Sequence, residues 1–521
     1  RSKRPGLFLV MVFVAAVSNF YFFYMMVIMT VLYAVWRSVR RNGVRQFGRV
    51  LLDGAAFLWY GLIGTLMASV VFLPVVLRFL QDPRTADNKS VPLLWPLRYY
   101  RNFLDCFLTN GTSALSESWT YMGFGAVALL GVIYIFVNRK RNFDLKAAFI
   151  GLTCLLMTPL AGFVLNGFSY PANRWMWAYA LLVAFMTATA VSEMTEAGTG
   201  TTGTIIMTTF VLAVCICVCV FWEYTFSRAS AQAVVIALFG LAAVLAGRAV
   251  LLERVVKRRQ SAAGTDDSET AQESLGAVKR NITVRVQAVL LACVLLTAAS
   301  AGYFDFSAKR SAKICEYLSR AQVETQTAKD AAAAAQLIDG NLLKSEFDTE
   351  EKTGSPKPFY RYTTYNPENN TSLLYGVSNT QYYWSLSNPN SAQFFSETGQ
   401  LNRMIHQYDN LDDRTFLNEI AGVRYFLGND QEGVPFGYVK KEGLSYSNED
   451  LWKDTDNLDR YSCEIYENQY ALPIGFTSDK WLSRKDYEAM DIPQRQQALM
   501  QGILLEEDPG ESFKKLGTAQ N

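Results

Sequence analysis

The sequence predicts a polytopic α-helical membrane domain followed by an extracytoplasmic mixed α/β domain, and three observations carry that expectation. Half of the 521 residues are apolar, yet the mean hydropathy is only +0.08, an average that hides two unlike halves. Residues 1–304 are built largely of long apolar runs, whereas 305–521 contain none of the roughly 20 residues that a spanning helix needs. The net charge is only +2, but Lys and Arg gather at the ends of the apolar runs, the pattern expected of membrane-flanking loops. The expected boundaries are therefore 1–304 for a membrane domain of about nine spans and 305–521 for the outer domain.

The first apolar run, 6–36, is longer than one span requires and is basic at both ends, with Arg1, Lys3 and Arg4 before it and Arg37, Arg40, Arg41 and Arg45 after it. If basic residues mark the cytoplasmic side, both ends lie inside. A hairpin turning at Ser18-Asn19-Phe20-Tyr21 follows; one long tilted helix is the alternative. A third span, 54–77, leads outward to a loop at 80–118, in which 96–108 reads as an amphipathic interfacial helix. Spans at 120–137 and 147–166 flank the basic loop NRKRNFDLK, and a polar corner, NGFSYPANRW, joins 147–166 to the next span at 174–192. Further spans are expected at 203–222, 230–251 and 284–304, with 254–280 as a flexible cytoplasmic loop.

The outer half reads as mixed structure. A helix is expected over 311–337, short strands at 359–364, 423–427 and 463–466, and a helix at 412–421 whose stripe is Leu411, Phe416, Leu417 and Ile420. Residues 485–504 favour helix, with a break at Pro493. Cysteines in apolar runs, such as Cys154 and Cys293, read as small buried hydrophobes, and nothing indicates a bridge between Cys315 and Cys463.

No soluble-enzyme motif is present, and Ser–His catalysis would have only His406, the single histidine, to use as its base. No nucleic-acid partner is indicated, nor any identifiable cofactor. Ionisable residues near the spans (Asp53, Arg78, Arg174, Glu193, Arg248) lie at expected ends rather than mid-bilayer, which argues against an ion-coupled pump. The polar corner is different. Asn166, Tyr170, Asn173 and Arg174 stand together between apolar segments, flanked by Trp175 and Trp177, with Asn19, Tyr21 and Tyr24 expected at the same depth. Arg174 can serve as an interfacial anchor or as a phosphate clamp, since its fork of donors suits phosphate oxygens. Asp105 is the best-placed carboxylate for a general base, its other reading being a solvated residue on the interfacial helix.

Five segments in register resemble the bacterial YfhO family of membrane proteins: SNFYFFYM at 18–25, NGFSYPANRW at 166–175, the polar-aromatic stretch 359–385, AGVRYFL at 421–427 and EIYENQYALPIGF at 464–476. The resemblance implies a GT-C type glycosyltransferase in the bacterial cell membrane, using a polyprenyl-phosphate sugar donor on the outer face. It implies as acceptor an envelope glycopolymer or glycolipid, such as lipoteichoic or wall teichoic acid. Arg174, Asn173, Tyr170 and Asn166, with Asn19 and Tyr21, would hold the donor phosphate. The base implied by the family is an aspartate in the first outer loop, expected upstream of Arg1. The chain begins with Arg rather than Met and is expected to be an internal piece of a longer protein. If a divalent metal assists, its ligands are not identifiable from the sequence. A transporter or flippase of lipid-linked intermediates, and a non-catalytic scaffold that binds wall polymer, are the competing readings.

Overall fold

The computed structural model describes residues 5–43, 46–80, 91–109, 118–139, 141–195, 199–221, 228–262, 268–306, 328–342, 359–365, 370–384, 388–400, 407–412, 414–429, 433–450, 460–510 and 514–515. The chain divides into two compact units, Arg1–Val76 with Asn88–Cys315, and Leu77–Asp87 with Glu316–Asn521.

Among the described residues the first unit has helices joined by turns and contains no strand. It comprises α1 (Gly6–Ser18), α2 (Phe20–Asn42), α3 (Phe47–Met67), all but the last four residues of α4 (Ser69–Leu80), α5 (Leu97–Leu108), α6 (Ala126–Val137), α7 (Phe143–Leu156), α8 (Pro159–Leu165), α9 (Met176–Met194), α10 (Thr199–Phe221), α11 (Arg228–Ala262) and α12 (Ser268–Phe306). Among the described residues, five helices are long and apolar enough to cross a membrane, and six if the bent pair α7–α8 counts as one span. Nine were expected from the apolar runs. Two of the expected runs fold into helices shorter than a bilayer crossing, Gly6–Ser18 and Ala126–Val137. α3 is strongly apolar, and Leu51, Leu52, Leu58, Trp59 and Leu62 along it are exposed, which in water would be untenable and in lipid is ordinary.

The hairpin expected at Asn19 is present. Asn19 leaves the helical region and its Oδ1 accepts the backbone N–H groups of Tyr21 and Phe22, so it ends α1 and caps α2 in one residue. Phe8 meets Phe57, and Gly64 lies against Leu9 and Val12, so α1 runs parallel to α3. Ser38 and Asn42 at the end of α2 bond Asp53 near the start of α3, so α2 runs antiparallel to it. The two arms are therefore antiparallel to each other.

Two ends of the bundle can be distinguished. At one end Arg40 pairs with Asp144, while Asn138 and Asn142 donate to Glu193. At the other, α2 begins beside the 166–175 corner through Tyr21 and Tyr24. The basic loops after α2 and α6 thus share the end opposite the corner.

The expected single span at 147–166 is instead broken. Thr158 precedes Pro159, and proline both disfavours helical geometry in its predecessor and lacks an N–H, so α7 stops and α8 sets off at 92°. The loop expected to be flexible at 254–280 is also largely helical, since α11 runs on to Ala262 and α12 starts at Ser268.

The second unit contains strands and short helices. A four-stranded sheet has the order β1 (Arg361–Thr364), β4 (Val423–Gly428), β6 (Ser462–Asn468), β5 (Tyr438–Ser447), with β1–β4 parallel and the other pairings antiparallel. A small pair joins β2 (Tyr382–Tyr383) to β3 (Gln407–Tyr408), and a parallel trio has β7 (Lys480–Ser483) between β8 (Ile503–Leu505) and β9 (Lys514–Lys515). Ala331, Ala333, Ala334, Leu337 and Ile338, on a helix that continues from Lys329 as a π-helical stretch, pack with Tyr362, Tyr425, Leu427 and Ile465 of the sheet. Their small size lets the helix approach the tyrosines closely.

The expected strands and the 412–421 helix are found at those places, with Leu411 and Leu417 buried and Phe416 and Ile420 packed beside them. The C-terminal helix breaks before Pro493, into Arg484–Glu488 and Ile492–Leu499. Cys463 is a buried thiol without a disulfide. Residues 311–327, Cys315 and His406 lie outside the described residues.

Two of the sequence segments that resembled a family meet as neighbouring strands here. Arg424 of β4 and Lys441 of β5 both reach Glu467 of β6, at 2.8 and 2.5 Å. Burial alone would raise the Glu467 carboxyl, but the hydrogen bonds from Lys441 and Arg424 outweigh it and hold the group below its ordinary range. A depressed carboxyl contributes stability above its unfolded value of about 4.3, and that stability is lost as pH falls through the lower folded value. Glu467→Gln is expected to cost about 1–2 kcal/mol, discounted for the partly exposed partners. The check is hydrogen exchange of the β4 and β6 amides: at neutral pH the variant should exchange about tenfold faster, and in acid the gap from wild type should close.

Candidate functional site

The break between α7 and α8 creates the site, because it frees carbonyls that a continuous helix would have used. Inside a membrane those groups need partners. Trp95 Nε1 and the Tyr99 hydroxyl both donate to Leu156 O, at 3.0 and 2.9 Å, and Tyr100 donates to Met157 O at 2.9 Å. α5 is therefore more than an amphipathic surface helix, since its aromatic face caps the broken span.

The corner is fastened to the same group through Asn173. Its side chain is fully buried, Nδ2 donating to Thr120 Oγ1 (2.9 Å) and the Tyr99 hydroxyl (3.3 Å), while Oδ1 accepts from Trp175 Nε1 (3.3 Å). Its backbone N–H donates to Ser118 O at 2.8 Å. Gly162 of α8 allows this close approach, because a Cβ there would stand about 3.0 Å from Ala172 N and 3.1 Å from Asn173 Oδ1. Asn173 thus points into the protein and positions the corner. Trp175, expected in an interfacial belt, is fully buried, whereas Trp177 is exposed.

Asn166, Tyr170, Arg174 and Tyr21 do come together. Tyr21 donates to Asn166 Oδ1, and Asn166 Nδ2 donates to Tyr170 O at 2.8 Å, so the start of α2 and the corner are tied by one buried amide. Arg174 donates through one terminal nitrogen to the Tyr170 hydroxyl at 2.6 Å. Its guanidinium carbon lies 3.9 Å from the centroid of the Trp119 ring, 5.5 Å from that of Tyr21 and 5.7 Å from that of Tyr170. The cation is half-buried among three aromatic faces, which hold it by their quadrupoles. Its Nε is buried and has no acceptor among the described residues, a costly arrangement for a charged donor in the absence of a ligand.

Trp119 is the residue that sequence reasoning missed. It sits at the edge of the expected outer loop with φ +55°, a left-handed conformation that bulky residues avoid. Ser118 next to it accepts from Asn173, so the network that buries Asn173 also places Trp119 over Arg174. The remaining expected site residues stand apart. Asn19 is exposed, with Oδ1 engaged in capping α2. Asp105 is only 2% exposed, six residues beyond Tyr99 and roughly 120° round α5 from it. Ser230 of α11 donates to its carbonyl at 3.2 Å, so the reading of Asp105 as a solvated residue does not hold.

The helices and the corner define a multi-span α-helical membrane protein with an aromatic-walled cationic site at one end of its bundle. The family described as bacterial membrane protein YfhO matches residues 1–521, and the chain belongs to it. It is similar to the "Uncharacterized protein YfhO" of Bacillus subtilis (strain 168), at 23% identity over 539 residues covering 98% of this chain and 52% of that protein. The chain therefore spans about half the length of that relative. No solved structure matches.

Proposed function

We propose that this protein is the donor-binding part of a GT-C type membrane glycosyltransferase, which transfers a sugar from a polyprenyl-phosphate donor to an envelope glycopolymer or glycolipid, such as a teichoic acid. In this reading the corner faces the extracytoplasmic side and the strand-bearing unit, 305–521, is an extracytoplasmic α/β domain. The observation that carries it is Arg174: a half-buried cation, stacked on Trp119, with a donor nitrogen left without an acceptor among the described residues. A phosphate oxygen of the donor would complete its hydrogen bonds, and the charge would stabilise the phosphate as it leaves the sugar. Tyr170 and Asn166 set the direction of the fork, and Asn173 and Tyr21 hold the loop that presents it. The acceptor hydroxyl needs a carboxylate to take its proton. Asp105 is the candidate among the described residues, buried against α11.

The test is sugar transfer by purified full-length protein from a radiolabelled polyprenyl-phosphate sugar. Covalent product is expected. Movement of labelled lipid across proteoliposomes without product would support a flippase instead, and glycan binding without either would support a scaffold.

A further inference from the structure

A cavity lies at the end of the bundle opposite the corner. It has a volume of about 590 Å3 and is lined by Val132, Ile133, Phe136 and Val137 of α6, Phe149 of α7, and Met207 and Val211 of α10. Among the described residues its lining is apolar except for one cation, Arg139, which lies two residues beyond α6. Among the described residues the carboxylates at this end are already engaged, Asp53 by Ser38 and Asn42. Glu193 accepts from Asn138 and Asn142, at 3.0 and 2.7 Å, and Asp144 pairs with Arg40 at 2.7 Å. Lys146 donates to Asn138 O, adding a second positive charge nearby. Arg139 is exposed and has no acidic partner among the described residues.

We propose that this groove holds an acyl chain of an anionic glycerophospholipid whose phosphate is bound by Arg139. The apolar walls suit a hydrocarbon chain, and the uncompensated guanidinium suits an anionic headgroup at the membrane surface. Glu193, which bonds Asn138 beside Arg139, is separated from Met176 at the corner by seventeen residues of α9, about 26 Å or nearly the hydrocarbon thickness. A lipid whose phosphate sits on Arg139 therefore occupies the opposite membrane face from Arg174. The inference is independent of the glycosyltransferase reading and survives its failure.

The test is native mass spectrometry of the detergent-purified full-length protein with dioleoyl phosphatidylglycerol, dioleoyl phosphatidylcholine and polyprenyl phosphate. Wild type should bind phosphatidylglycerol about fivefold more tightly than phosphatidylcholine. Arg139→Gln, a change at an exposed side chain, should remove that preference without lowering the melting temperature, and Val211→Trp, which fills the groove, should weaken both phospholipids. An unchanged preference in Arg139→Gln would overturn the headgroup assignment. Displacement of phosphatidylglycerol by an equal concentration of polyprenyl phosphate would overturn the assigned occupant.

Discussion

Arg174→Ala is expected to lower sugar transfer by about 10²–10³-fold, the usual loss when one preorganised charge-stabilising donor is removed. Asn166 and Tyr170 beside it add no cation, and their polar groups are already bonded to one another, to Tyr21 and to Arg174. Arg174→Lys should recover little of the loss. An ammonium cannot lie flat against the Trp119 ring while donating to Tyr170 and to a phosphate along a fixed fork. Steady-state transfer by full-length protein checks both variants. If Arg174 contributes equally to substrate and transition state, KM will rise with kcat unchanged; if it acts on the departing phosphate, kcat falls.

Asn173→Ala should act by a different route, through the framework. The substitution leaves Trp175 Nε1 without its acceptor in a fully buried position and removes the donor shared by Thr120 and Tyr99. A loss of about 2–3 kcal/mol is expected. Tyr99→Phe should cost less, about 1 kcal/mol, because Trp95 still donates to Leu156 O. Thermal unfolding of the full chain in detergent should rank the two in that order. Equal effects would mean that Asn173 does not bear the corner's weight.

The coarse plan was legible because it rests on local chemistry. The run 6–36 was too long for one span and basic at both ends, and Asn19 supplied a cap, so a hairpin was readable. The stripe through Leu411 and Leu417 was readable because one buried face imposes its period on the sequence, and the strand at 423–428, buried on both faces, was readable as a short apolar run. The broken span was readable in principle: Thr158-Pro159 is a helix stop within an apolar run, but hydropathy averages over it. Tertiary bonds were not. Nothing in the local pattern says that Asn173 turns inward to Tyr99 while its neighbour Arg174 turns to Trp119, because these partners lie more than fifty residues away. Helix extension through 254–262 was hidden by charge, which reads as loop but suits a helix beyond the lipid.

The central claim is that the Arg174 guanidinium receives a lipid-borne phosphate at the corner. Equilibrium binding of polyprenyl phosphate to the full-length protein in nanodiscs, read from quenching of tryptophan fluorescence, tests it without requiring turnover. Wild type should show saturable quenching, Trp119→Phe should lose most of that signal while still binding in competition, and Arg174→Ala should bind about 10–100-fold more weakly. An Arg174→Ala variant that binds as tightly as wild type would contradict the account.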